Sequence, residues 1–114
     1  MSTIKVDTWQ DRAGTQEFYA CRAWVNFNGT GTVAIRESGN VSSITDNGAG
    51  DYTVNFTTAI TDANYAAPTS VGRGLTAADS FVSTKTTTSY TIEVVNQTGS
   101  AFVDTDGIEV AVFR

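Results

Sequence analysis

From Cys21 to Ile60 the chain alternates apolar and polar side chains more densely than anywhere else, and a period of two is the signature of pleated strands. Cys21, Ala23, Val25 and Phe27 fall on one face of such a strand, with Arg22, Trp24, Asn26 and Asn28 on the other. The period returns in Val33 and Ile35, and again in Tyr52, Val54 and Phe56. Between these runs lie Asn28-Gly29-Thr30-Gly31, Ser38-Gly39-Asn40 and Asp46-Asn47-Gly48-Ala49-Gly50-Asp51, which supply the backbone freedom and Asn-Gly pairing of tight turns. The pattern predicts a four-strand meander with Val25, Phe27, Val33, Ile35, Val54 and Phe56 in its core. Cys21, in phase with that core, is expected to be a packed and inert thiol.

The remainder of the chain keeps the same grammar. Tyr90, Ile92 and Val94 alternate with Thr91, Glu93 and Val95, and Ile108, Val110 and Val112 with Glu109, Ala111 and Phe113. Pro68 confines residues 65–71 to an edge strand, because proline cannot donate to a ladder. Residues 72–79 read as an exposed loop, and 101–103 as a further short strand. No segment has a period of 3.6. Turn signals about every ten residues then favour an all-β fold, an antiparallel β-sandwich of about eight strands, with a jelly-roll-like arrangement also compatible. At 114 residues the chain fits one such domain, and a folded chain of this size hides roughly two-thirds of its unfolded surface. Residues 1–19, containing Ile4 and Val6 one step apart, form a strand-like attachment segment, and 20–114 the sandwich.

Composition excludes several functions. A formal net charge of -5 without a basic run argues against nucleic-acid binding. The sequence has no His, so Ser-His-Asp and Cys-His machinery and histidine-held metals are excluded. One cysteine permits neither an intrachain disulfide nor a cysteine-based zinc site. No apolar run approaches the ~20 residues of a membrane span, and the first residues lack a signal peptide's apolar core. Neither membrane insertion nor a cofactor is expected.

Trp24-Val-Asn-Phe-Asn-Gly-Thr-Gly-Thr-Val-Ala-Ile-Arg36, then Asn40-Val-Ser-Ser-Ile-Thr-Asp-Asn-Gly48 and Gly50-Asp-Tyr-Thr-Val-Asn-Phe56, together resemble a module of tailed-bacteriophage tail-fibre proteins. The leader Ile4-Lys-Val-Asp-Thr8 is similar to the segment that often precedes this module, particularly in marine phages. The resemblance covers residues 3–60 and brings no catalytic residues with it. It implies a homotrimeric virion component, made in the host cytoplasm, at the distal end of a fibre where it contacts a host-surface glycan or protein. Because the module starts a few residues after the first Met, these residues are expected to be either an excised fragment or, the preferred reading, a short virion component that attaches to other virion proteins through its own N-terminal strand.

Individual residues sharpen that expectation. Trp24 sets a large ring among polar side chains, and Val95 and Phe113 likewise place apolar bulk on the polar side of their strands, as a subunit contact or ligand platform requires. Tyr65, Arg73, Leu75 and Asp79, in the least regular part of the chain, complete the candidate contact set with Trp24. Tyr52 and Tyr90 belong to the core. Glu17, Glu37, Glu93 and Glu109 could in principle form a glycosidase pair, but carboxylates on the polar face of a strand are ordinarily solvated. Asp46 and Asp51 bracket a Gly-rich turn, and Asp104-Thr105-Asp106-Gly107 opens like a calcium loop whose terminal Glu is replaced by Val112. The Asn-x-Ser/Thr triplets at Asn28, Asn40, Asn55 and Asn96 are chance products of a Thr-rich chain. A receptor-binding fibre tip is therefore the first expectation, and a capsid or tail decoration protein and a free-standing carbohydrate-binding module are the alternatives.

Overall fold

The computed structural model describes residues 2–72 and 78–114. Among them are eight strands: β1 (Cys21–Asn28), β2 (Ala34–Gly39), β3 (Val41–Gly48), β4 (Asp51–Phe56), β5 (Thr69–Val71), β6 (Ala78–Lys85), β7 (Ser89–Asn96) and β8 (Ile108–Phe113). They form two antiparallel sheets of four, in the orders β2-β1-β8-β5 and β3-β4-β7-β6. The molecule is an all-β sandwich. Three of its pairings join consecutive strands (β1–β2, β3–β4 and β6–β7), so the jelly-roll-like variant, with its two Greek keys, gives way to in-sheet hairpins linked by crossings between layers.

The four central strands each turn alternate residues inward. Ala23, Val25 and Phe27 of β1 and Ile108, Val110 and Val112 of β8 face Tyr52, Val54 and Phe56 of β4 and Tyr90, Ile92 and Val94 of β7. Their chemistry is that of a sheet interior, rich in β-branched and aromatic side chains that pack on a pleated surface. Rings meet edge to face across the core, Phe27 with Tyr52 at 5.4 Å and Phe56 with Tyr65 at 6.0 Å between centroids.

The predicted four-strand meander does not form, because β2 and β3 belong to different sheets. The chain changes layer at Asn40, whose φ of 55° turns the backbone sharply between two strands separated by that single residue. Its side chain spans the layers: Nδ2 donates to Arg22 O of β1 and to Thr58 O just after β4, both at 3.0 Å, and Oδ1 accepts from Thr58 N at 2.7 Å.

Other local expectations are corrected for related reasons. Cys21 is exposed, because the β1–β8 register shifts between Cys21 and Ala23 and takes the first residue out of the core phase. Ile35 remains 37% exposed on edge strand β2, beyond a second shift at Asn26/Phe27. Ala78 and Asp79 belong to β6 rather than to a loop. Residues 101–103 make one bridge, Phe102 with Val95, instead of a strand. Val95, expected on the polar side of its strand, is buried at 8% exposed.

The N-terminal segment forms no strand of either sheet. Residues 9–18 fold on themselves: Phe18 N donates to Trp9 O, and the Asp11 carboxylate accepts from Thr15 N, Thr15 Oγ1 and Gln16 N. These bonds hold the Asp11 pKa below its ordinary value, the Thr15 hydroxyl contributing most. Among the described residues no hydrogen bond ties residues 2–20 to the sandwich. Ile4, Val6, Trp9, Phe18 and Tyr19 are all more than half exposed.

Candidate functional site

The outer faces of the two sheets differ in chemistry. On β3-β4-β7-β6, Thr45, Thr53, Thr91 and Thr84 line up across the strands, and the Thr53 and Thr91 hydroxyls lie 3.1 Å apart. Asn55 Nδ2 donates to Thr45 Oγ1 and Ser43 Oγ, and Asn47 Nδ2 to Thr53 Oγ1. This polar surface satisfies much of its own hydrogen bonding.

On β2-β1-β8-β5 the outward residues form two cross-strand rows. One runs Gly39, Trp24, Ala111, with Pro68 beyond, its carbonyl accepting from Ala111 N at 3.2 Å. The next runs Glu37, Asn26, Glu109, Ser70. Trp24 is 41% exposed and leans over β2, so that a Cβ at position 39 would fall on its Nε1. Glycine there is what lets the indole lie down on the sheet. Beside the ring, where the row continues through small Ala111, opens a groove of about 530 Å³ lined by Trp24, Asn26, Pro68, Ser70, Glu109 and Ala111 among others. That volume is within the range of small-ligand sites.

Polar groups in the groove are oriented by their neighbours. Arg36 Nη1 donates to Asn26 Oδ1 at 3.2 Å, which leaves the Asn26 Nδ2 to point elsewhere. Glu109 is exposed, and the one ion pair among the described residues, Arg114 with Asp62, does not involve it. The groove is thus an apolar ring beside a row of acceptors and an amide.

The five residues singled out from sequence are not brought together. Trp24 lies at the groove. Tyr65 is 2% exposed: its ring packs against Phe56, its hydroxyl contacts Thr86 O and Ser89 O, and Lys85 Nζ sits 5.5 Å from its centroid. It is a core residue with almost no surface to offer a partner. Asp79, the second residue of β6, pairs with Val95 on the other sheet from Trp24, and its carboxylate accepts from Ser80 N. Arg73 and Leu75 lie outside the described residues. Sequence reasoning missed Asn26, Ser70, Glu109 and Ala111. Alternation placed Asn26, Glu109 and Ala111 outward and Ser70 lay in the edge segment, but nothing local to β1 reveals that β8, more than eighty residues later, lies beside it.

Three acidic residues of the turns, Asp46, Asp51 and Asp104, are committed to structure. Asp46 Oδ1 accepts from Gly48 N, and Asp51 Oδ1 from Asn47 Nδ2, so both serve their turn. Asp104 Oδ1 accepts from Gly50 N at 2.9 Å and lies 2.6 Å from the Tyr52 hydroxyl, which also lies 2.8 Å from Gly29 O. Burial first, and the Asp104 carboxylate second, push the Tyr52 pKa well above its ordinary 10.0. Among the described residues no group of three His, Cys, Asp or Glu could hold a metal ion.

Compared with protein-family models, curated proteins and solved structures, the chain matches none of them.

Proposed function

We propose that this protein is a non-enzymatic virion module of a tailed bacteriophage, homotrimeric, at a fibre or receptor-binding tip, with the sandwich turned toward the host surface. The observation that carries this reading is the N-terminal arm. It exposes five large apolar side chains and shares no hydrogen bond with the sandwich among the described residues. A lone two-stranded hairpin is marginally stable in water, so an arm of this kind is completed by a partner surface. Attachment to neighbouring copies and other virion proteins supplies one. The resemblance of residues 3–60 to tail-fibre modules supports the virion setting. The absence of His, and the exposure of Glu37 and Glu109 to solvent where a general acid needs burial, support a binding role over a hydrolytic one.

The test compares the full chain with a variant lacking residues 1–20. The full chain is expected to have the solution mass of three copies and to bind host cells; the shortened variant is expected to fold and to lose assembly. Binding to capsids or fibre-less virions but not to cells would instead make the protein a decoration component. A strictly monomeric full chain would remove the trimer.

A further inference from the structure

We infer that the groove beside Trp24 is a glycan site that takes a neutral oligosaccharide, with one pyranose stacked on the indole and the row of Asn26, Glu109 and Ser70 bonding successive hydroxyls along it; this rests on the host-contact reading above and names its ligand class.

The first argument is the ring. An indole at an outward strand position exposes apolar surface unless something covers it, and in this sheet the flanking residues of its row are Gly39 and Ala111, too small to do so. The missing side chain at Gly39 lets the indole lie over β2, while small Ala111 keeps space open on the other side. A flat aromatic face beside a shallow groove suits the C–H face of a sugar ring.

The second argument is the adjacent row. Strands lie ~4.8 Å apart, so Asn26, Glu109 and Ser70 present an amide, a carboxylate and a hydroxyl at successive steps of about the width of one pyranose. Carboxylate oxygens accept from hydroxyls, and the Asn26 amide, with Oδ1 held by Arg36, is left to donate. This combination of one ring and a few convergent polar groups satisfies vicinal hydroxyls, which a purely apolar partner lacks.

The third argument is charge. Glu37 and Glu109 flank Asn26 on either side in its row, whereas Arg36 holds its guanidinium against the Asn26 side-chain oxygen and Arg22 donates to Arg114 O at the far end of β1. A sialylated, uronic or phosphorylated sugar would set its anion against these carboxylates, and so would a nucleotide stacked on the same ring. The acceptor-rich face selects uncharged hydroxyl donors.

The experiment uses the full chain, whose two indole Nε1–H signals are told apart because Trp24→Ala lacks one of them. The chain is exposed to a glycan array of neutral and anionic oligosaccharides, and hits are titrated by the shift of the indole Nε1–H signal. Neutral glycans are expected to move that signal. Trp24→Ala is expected to weaken binding about ten-fold or more with thermal stability nearly unchanged. Glu109→Gln should bind more weakly and discriminate less against anionic glycans. Binding confined to anionic glycans, or no glycan binding while Trp24→Ala still adheres to host cells, would overturn the glycan site and leave the host-contact reading standing. Neutral-glycan binding through Trp24 by a chain that binds neither cells nor particles would do the reverse. If Trp24→Ala instead dissociates the oligomer, the face is a contact between copies and the inference falls.

Discussion

The side-chain amide of Asn40 pairs with the backbone of Thr58 in both directions, donating from Nδ2 to O at 3.0 Å and accepting from N at 2.7 Å. One side chain thereby imitates a strand partner at the corner where the chain leaves the first sheet for the second, and its further bond to Arg22 O ties β1 to the same point. Replacing Asn40 with Gly preserves the positive φ and removes these bonds, and is expected to destabilise by about 1–2 kcal/mol. Asn40→Ala should cost about 1 kcal/mol more, because its Cβ disfavours that backbone region. Urea unfolding of the two variants separates hydrogen bonding from strain.

Gly50 combines a φ of 63° with a close approach: a Cβ there would run into the Val94 carbonyl and the backbone of Val103. Gly31 has a similar φ of 60° but open space around it. Gly50→Ala should therefore cost about 3–5 kcal/mol, strain and clash together, and Gly31→Ala only about 1–2 kcal/mol. Equal losses in thermal denaturation would show that backbone strain alone governs both positions.

Removing the Tyr52 hydroxyl keeps the ring contact with Phe27 but deprives Asp104 and Gly29 O of their shared donor. Tyr52→Phe is expected to cost about 1–3 kcal/mol near neutral pH. The pH dependence has a definite sign. Tyr52, Tyr65 and Tyr90 all have pKa values raised above 10.0, burial being the leading cause in each. Their contribution is complete below pH 10.0 and is lost as pH rises from there toward the folded-state values, because the unfolded chain releases these protons first. Unfolding free energy measured from pH 8 to 12 should fall above pH 10, and less steeply in Tyr52→Phe.

Asp62 accepts two hydrogen bonds from the Arg114 guanidinium, at 2.7 and 2.9 Å, and one from Asn64 N. The Arg114 bonds, followed by the Asn64 bond, lower its pKa from 3.8 to about 2. Whatever stability this exposed pair adds is complete above pH 3.8 and disappears as pH falls through about 2. A carboxyl NMR titration should find Asp62 near 2, and Arg114→Gln should return it toward 3.8. An unchanged midpoint would mean that the backbone bond from Asn64 is the dominant cause.

Much of the fold was legible in the sequence because alternation is local: whether Val25 or Trp24 faces inward follows from position within one strand. The core residues of β1, β4, β7 and β8 were accordingly in phase with one another in the sequence. Register shifts are not local. Cys21 and Ile35 left the expected core because each depends on how a neighbouring strand slips by one residue. Tyr65 was misplaced for a different reason, since a tyrosine in an irregular segment looks exposed until the ring is seen to close the sandwich against Phe56.

The sequence by itself determined an all-β chain, the direction of most side chains within its strands, and an outward Trp24 marked for a contact. Only the tertiary structure decided that the chain changes sheets at Asn40, that residues 2–20 stand outside both sheets, and that Glu109 and Ser70 lie beside Asn26 and Trp24. The physical reason is range. Side-chain direction is set by the pleat of a single strand, whereas the pairing of β1 with β8 is chosen by the burial of the whole core, and that choice assembles the groove.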